Sequence, residues 1–104
     1  MEIITEKNFN EKIEKGLVLV DFFANWCGPC RMMAPVLEDV KKDLGEDVQI
    51  YKVDVDEDQN LARQFGVMSI PTLITFVDGV QKEKNIGYCT KDVLENALRK
   101  YIKK

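Results

Sequence analysis

The chain has 104 residues, of which 45% are hydrophobic and 32% charged, with six glycines and three prolines. That is enough for one ordinary domain over residues 1–104, burying roughly 65% of its unfolded surface, and it excludes disorder and a collagen-like fibre. The formal charge of -3 leaves no basic excess for nucleic acid, and the stretch from Gly66 to Val77, the longest that is nearly uncharged, is too short and polar to cross a bilayer as a helix.

Residues Ile3 to Thr5 are predicted as a short edge strand. Asn8 can then cap a brief helix that puts Phe9 and Ile13 on one face before Gly16 ends it. Leu17 to Phe23 is apolar on both alternating faces, as expected of a central strand covered on both sides, and Asp21 is its only charge. Beyond the pair Cys27 and Cys30, the residues Met33, Leu37, Val40 and Leu44 recur at helical spacing up to Gly45, with a kink expected at Pro35. Val48, Ile50, Val53 and Val55 alternate imperfectly and read as a strand joined to the first by a parallel crossover; a short helix with Leu61 and Phe65 runs to Gly66. Thr72 to Val77 and Val80 to Ile86 flank Asp78-Gly79, the signal of a two-residue hairpin. Thr90 can cap a final helix carrying Leu94, Ala97, Leu98 and Tyr101 on one face. Its basic end, Arg99, Lys100, Lys103 and Lys104, lies where a helix dipole favours cations. This order predicts an α/β fold, a mixed sheet with helices on both faces, with any site beyond the C-terminal ends of the strands.

Three cysteines are too few for a disulfide scaffold, so Cys27-x-x-Cys30 reads as redox or metal chemistry. Two residues of spacing in a first helical turn puts the cysteines on one side, about 5 to 6 Å apart, where a disulfide can close. Unpaired N–H groups and the dipole at that helix start favour a thiolate, which makes Cys27 the expected nucleophile, exposed to its target; Pro29 suits a first helical position. Acidity alone does little. Lowering a thiol pKa from ~8.5 to ~7 raises the thiolate fraction at neutral pH roughly 15-fold, while nucleophilicity falls about 5-fold. Most of the advantage must come from Cys30 standing beside the mixed disulfide. Two plainer readings stay open: a pair of reduced, buried cysteines, and a zinc site, for which the chain offers no histidine and only Cys89 as a further thiol.

The run Val20-Asp21-Phe22, Trp26-Cys27-Gly28-Pro29-Cys30, Ile70-Pro71-Thr72 and Gly87 resembles the thioredoxin family over essentially the whole chain. The resemblance implies the thioredoxin fold, a central mixed five-stranded sheet flanked by four helices. It implies a thiol-disulfide oxidoreductase, a general protein-disulfide reductase and electron carrier. Cys27 would attack, Cys30 would resolve, and a flavin-dependent thioredoxin reductase would restore the dithiol. No cofactor beyond the redox-active disulfide Cys27–Cys30 and no metal are implied. Asp21 matches the family's buried acid, a candidate base for Cys30 with a raised pKa, and Lys52 matches the lysine beside it. Trp26, Gly28, Pro29, Val55, Ile70, Pro71, Ile86 and Gly87 match the apolar contact surface, with a cis bond before Pro71 and a backbone edge at Ile70 for extended substrates. A monomer in the cytoplasm is expected, since the start of the chain lacks the basic and long apolar segments of a secretory signal.

Phe23, Tyr88 and Cys89 depart from the family's pattern. Phe23 replaces a second tryptophan common in bacterial members, which removes an indole donor and puts in doubt the hydrogen bond to the acid matching Asp56. Cys89 reads as a semi-buried apolar residue, and oxidation between molecules is its alternative role. A binding subunit of a larger assembly, with secondary redox activity, is the competing function, and an oxidase or isomerase is a third.

Overall fold

The computed structural model describes residues 1–102; of the basic terminal cluster, Lys103 and Lys104 lie outside them. In chain order the elements are β1 (Glu2–Ile3), α1 (Phe9–Ile13), β2 (Leu17–Phe23), α2 (Gly28–Leu44), a 3-10 turn (Gly45–Asp47), β3 (Gln49–Asp54), α3 (Gln59–Gln64), β4 (Thr72–Val77), β5 (Val80–Ile86) and α4 (Lys91–Arg99). The five strands form one mixed sheet in the order β1-β3-β2-β4-β5. β2 runs parallel to β3 and antiparallel to β4, and β4 pairs antiparallel with β5.

The sheet is covered on both faces because β2, wholly buried, sends alternate side chains into two separate cores. Leu17 and Leu19 join Met33, Leu37, Val40 and Leu44 of α2 and Leu94 and Leu98 of α4. Val18, Val20 and Phe22 join Phe9, Leu61 and Phe76 on the other face. The irregular alternation of β3 has the same cause: Val48 and Ile50 enter the first core and Val53 the second.

Turn chemistry fixes most boundaries. Gly16, Gly45 and Gly66 take positive φ where helices α1, α2 and α3 end or the chain turns back. Asp78 and Gly79 both have positive φ, at 49° and 84°, as a two-residue turn matched to strand twist requires. Helix α2 continues through Pro35. Thr90 caps α4, its hydroxyl accepting the Val93 N–H at 3.3 Å.

Three local expectations are corrected, and one buried residue is added on α4. β1 is Glu2–Ile3 rather than Ile3 to Thr5, since Ile4 has turned into the second core. Asn8 does not cap α1 with its side chain; its Oδ1 instead accepts the Thr5 N–H at 2.9 Å, closing the preceding turn. Pro29 is the second helical residue, after Gly28, still within the turn whose N–H groups have no helical acceptor. On α4, Glu95 is buried beside Leu94 and Leu98, held by Arg99 at 3.1 Å.

Candidate active site

The sheet delivers the cysteines at the end of its central strand. After Phe23 the chain turns, with the Cys27 N–H donating to the Ala24 carbonyl at 3.2 Å, and α2 begins. Cys27 occupies the position before the helix in extended backbone, and its sulfur accepts the Cys30 N–H at 3.2 Å. That bond is the feature that favours negative charge on Cys27: an otherwise unsatisfied helix-start donor points at its sulfur. Cys27 and Cys30 are joined as a disulfide with their Cα atoms 5.2 Å apart, within the expected spacing.

The exposure expected of Cys27 is not found. Both cysteines are 4% exposed, packed with Phe23 and Ala24 and with the half-buried Val55 and Ile70. The joined sulfurs behave there as apolar atoms, and only the flanking chain is open: Trp26, Gly28 and Pro29 are exposed. What separates the two cysteines is their surroundings. The Cys27 sulfur lies 3.7 Å from the Ile70 carbonyl oxygen, the edge of the loop that precedes β4. Cys30 instead lines a cleft of about 250 Å³ together with Phe23, Arg31, Ala34 and Lys52.

Asp21 is fully buried, directly across from Lys52 in the β2–β3 register and Leu73 in the β2–β4 register. Neither of its carboxyl oxygens has a hydrogen-bond partner among the described residues. Burial disfavours the carboxylate and lifts its pKa from 3.8 to about 7, against the opposing pull of the Lys52 charge. Lys52 itself is steadied by the face of Phe23, its Nζ 4.2 Å from the ring centroid. Lys52 therefore links Asp21 to the cleft that Cys30 lines.

The remaining predicted residues gather around the disulfide. The Ile70-Pro71 bond is cis. Gly87, at a φ of 90°, donates its N–H to the Pro71 carbonyl at 2.8 Å, which ties the end of β5 to the loop facing Cys27. The Val55 N–H bonds the Phe23 carbonyl at 2.9 Å. Ile86 is 65% exposed and Trp26 68%, large apolar surfaces beside a reactive centre. Pro71 is buried and so supports the surface from beneath.

Asp56 does receive an indole hydrogen bond, from Trp26, whose Nε1 donates to Asp56 Oδ2 at 2.8 Å. The doubt raised by Phe23 is thus resolved by a different tryptophan, and the bond holds the Trp26 ring in place beside Cys27. Two exposed methionines, Met32 two residues after Cys30 and Met68 two before Ile70, escape a reading based on chemistry-bearing motifs; the apolar pair Val67-Met68 in the short loop before Pro71 was the available signal for Met68. Cys89 is half-buried against the first core, and burial first, then the charge of Asp21, pushes its thiol pKa up. It is the apolar residue expected, not an acidic thiol.

Among the described residues no group of ligands is arranged for a metal, and no helix is long and apolar enough to cross a membrane. The thioredoxin family model matches residues 1–100. The chain is 50% identical to a thioredoxin of Listeria monocytogenes over 99 residues, covering 95% of this chain and 96% of that one. It is 44% identical to a thioredoxin of Bacillus subtilis over 98 residues, 94% of each. A solved mutant thioredoxin from Halobacterium salinarum superposes with a TM-score of 0.90 at 35% identity, covering all of this chain and 91% of the other. With a closed disulfide at the start of α2 in a five-stranded mixed sheet, the chain belongs to the thioredoxin family and is a thiol-disulfide oxidoreductase that reduces protein disulfides.

Proposed function

We propose that Cys27 is the attacking sulfur and Cys30 the resolving one. The observation that carries this assignment is the Cys30 N–H directed at the Cys27 sulfur. In the dithiol form, the Cys27 thiolate attacks one sulfur of a target disulfide; that S–S bond breaks as the new one forms, and the departing thiolate takes a proton. Cys30 then loses its proton and attacks the Cys27 sulfur, which releases the second target thiol. The target gains two electrons and two protons, and Cys27–Cys30 is left oxidised.

Asp21 is the acceptor of the Cys30 proton. A carboxyl raised to about 7 is a stronger proton acceptor than an ordinary carboxylate, and so lies nearer the basicity of a thiolate. Lys52 offsets part of the charge that Asp21 carries once ionised, and it lines the same cleft as Cys30, directly across the β2–β3 register from Asp21.

Substrate contact falls to Trp26, Gly28, Pro29, Val55, Ile70, Pro71, Ile86 and Gly87. Because Cys27 is nearly closed, a target sulfur must arrive close along this rim, in an extended segment that can use the Ile70 backbone edge. Apolar rims and backbone edges accept many sequences, which suits a general reductant rather than one dedicated to a single protein. Regeneration by a thioredoxin reductase, a monomer acting in the cytoplasm, one domain over residues 1–104, and no cofactor beyond the disulfide complete the reading; the Listeria and Bacillus thioredoxins support it by their likeness.

Insulin reduction tests it. Cys27→Ser should abolish turnover, and Cys30→Ser should accumulate a mixed disulfide through Cys27 that gels without reductant reveal. Turnover that survives Cys27→Ser would remove the assignment, and a wild-type chain without cysteine-dependent turnover would favour the binding-subunit reading. Equilibration against glutathione separates a reductant from an oxidase or isomerase.

A further inference from the structure

The four methionines of the chain occupy unequal positions. Met33 is fully enclosed in the first core, whereas Met68 is 95% exposed and Met32 59%; Met1, at 48%, is at the chain terminus. Met68 stands two residues before Ile70, whose carbonyl oxygen lies 3.7 Å from the Cys27 sulfur. Met32 stands two residues beyond Cys30. Ile86, on the contact surface proposed above, is exposed, as is Tyr88 two residues further along the chain. A thioether in such a place contributes soft apolar contact when a partner covers it, and is open to electrophilic oxidants when none does.

We infer that Met68 is a reversible oxidation site, converted to its sulfoxide by hydroperoxides, and that this modification weakens the docking of protein disulfides. The inference rests on the contact surface proposed above. The sulfur lone pair attacks the outer oxygen of the peroxide; an S–O bond forms as the O–O bond breaks, and the departing oxygen leaves as water or an alcohol after taking up the proton. Sulfur loses two electrons and the peroxide gains them. A polar sulfoxide then replaces an apolar thioether two residues from the Ile70 edge, and a docking partner must strip water from it without supplying a hydrogen bond. Neither cysteine is altered, so the chemistry toward a small disulfide, which needs no rim, persists.

The test uses the full chain in its disulfide form, which protects Cys27 and Cys30 during graded treatment with hydrogen peroxide. Peptide mapping by mass spectrometry should find Met68 oxidised first and Met33 spared, and the KM for insulin should rise about fivefold, with reduction of a small aromatic disulfide changed less than about twofold. Met68→Leu, compared before and after treatment, should lose far less of its own insulin activity than wild type loses. Incubation with a methionine sulfoxide reductase, removed before assay, should restore the KM. Met33 oxidising as fast as Met68, an insulin KM unmoved by complete Met68 oxidation, an equal loss in Met68→Leu, or a KM that stays raised after the sulfoxide is reduced would each overturn the inference. Trp26→Ala and Ile86→Ser distinguish the levels: if neither raises the insulin KM, the contact surface itself fails, whereas if both do and Met68 oxidation does not, only the role of Met68 fails.

Discussion

The two cores on either side of the sheet are built from the same strand yet differ in kind. On one face Val18, Val20 and Phe22 meet Phe9, Phe65 and Phe76, whose rings interlock with centroids 5.1 to 6.0 Å apart, and Asp58, the buried acid that accepts the Leu61 N–H of that cluster, has both oxygens hydrogen-bonded. On the other, the alternation that places Leu17 and Leu19 brings Asp21 next, with neither carboxyl oxygen hydrogen-bonded among the described residues. The second, aromatic core holds the fold together by packing. The first gives up stability to keep a proton acceptor in reach of the site.

The sharpest contrast should come from one substitution on each face. Phe76 is 1% exposed and contacts Phe9 and Phe65 edge to face. Phe76→Ala should destabilise the oxidised protein by about 3–5 kcal/mol through lost burial and a residual cavity. Urea titrations should give that loss equally at mildly acid and mildly alkaline pH. A loss that varied with pH would show that the aromatic face is not electrically silent.

Asp21→Asn should act in the opposite direction. A carboxyl whose pKa is raised on folding holds its proton more tightly in the native state, so its stabilising contribution is complete below 3.8 and is lost as pH rises toward about 7. Moving the pKa from 3.8 to about 7 corresponds to roughly 4 kcal/mol as an upper bound. Asn carries no charge at any pH, so the variant should match wild type in acid and exceed it by up to that amount above neutrality. Its insulin turnover should fall, most where the wild-type carboxyl is ionised and least in acid, with the KM little changed. Equal stabilities across this range would mean that Asp21 is not buried as an acid, and an unchanged rate would remove it from proton transfer.

This contrast explains what the sequence disclosed. The uninterrupted apolar run of β2, the stripe of α2 and the Asp78-Gly79 turn are local signals, and the strand and helix spans follow from them closely. A lone Asp in an apolar run and two cysteines at a strand-to-helix junction are equally local, which made the centre of the site readable. What stayed hidden depends on contacts across the fold. Asp58 caps α3, its Oδ1 on the Leu61 N–H at 3.2 Å, while its other oxygen takes the Glu6 N–H at 2.7 Å from far along the chain. Trp26 finds Asp56 across 30 positions. Nothing near Cys27 in sequence announces that Phe23, Val55 and Ile70 close over it, and Glu95 is buried only because α4 packs against the core in a register that carries its neighbours Leu94 and Leu98 inward.

Lys52 allows the finest division of the face that carries Asp21. It lowers the Asp21 pKa by charge while burial raises it, and its ammonium also rests on the Phe23 ring at 4.2 Å, a contact worth about 0.5–1 kcal/mol where exposed. Lys52→Met keeps an apolar stem over the ring and deletes the charge, so it isolates the electrostatic part. The Asp21 pKa should then climb above its wild-type value, as carbon NMR of the carboxyl group can follow. The pH range over which stability declines should extend further into alkali, and the acid limb of the turnover profile should move the same way. The shift must vanish in a chain that also carries Asp21→Asn, because the double variant has no buried acid for the charge to act on. If Lys52→Met altered stability equally with and without Asp21, the lysine would be acting through Phe23 alone, and the coupling across the β2–β3 register would have no part in the mechanism.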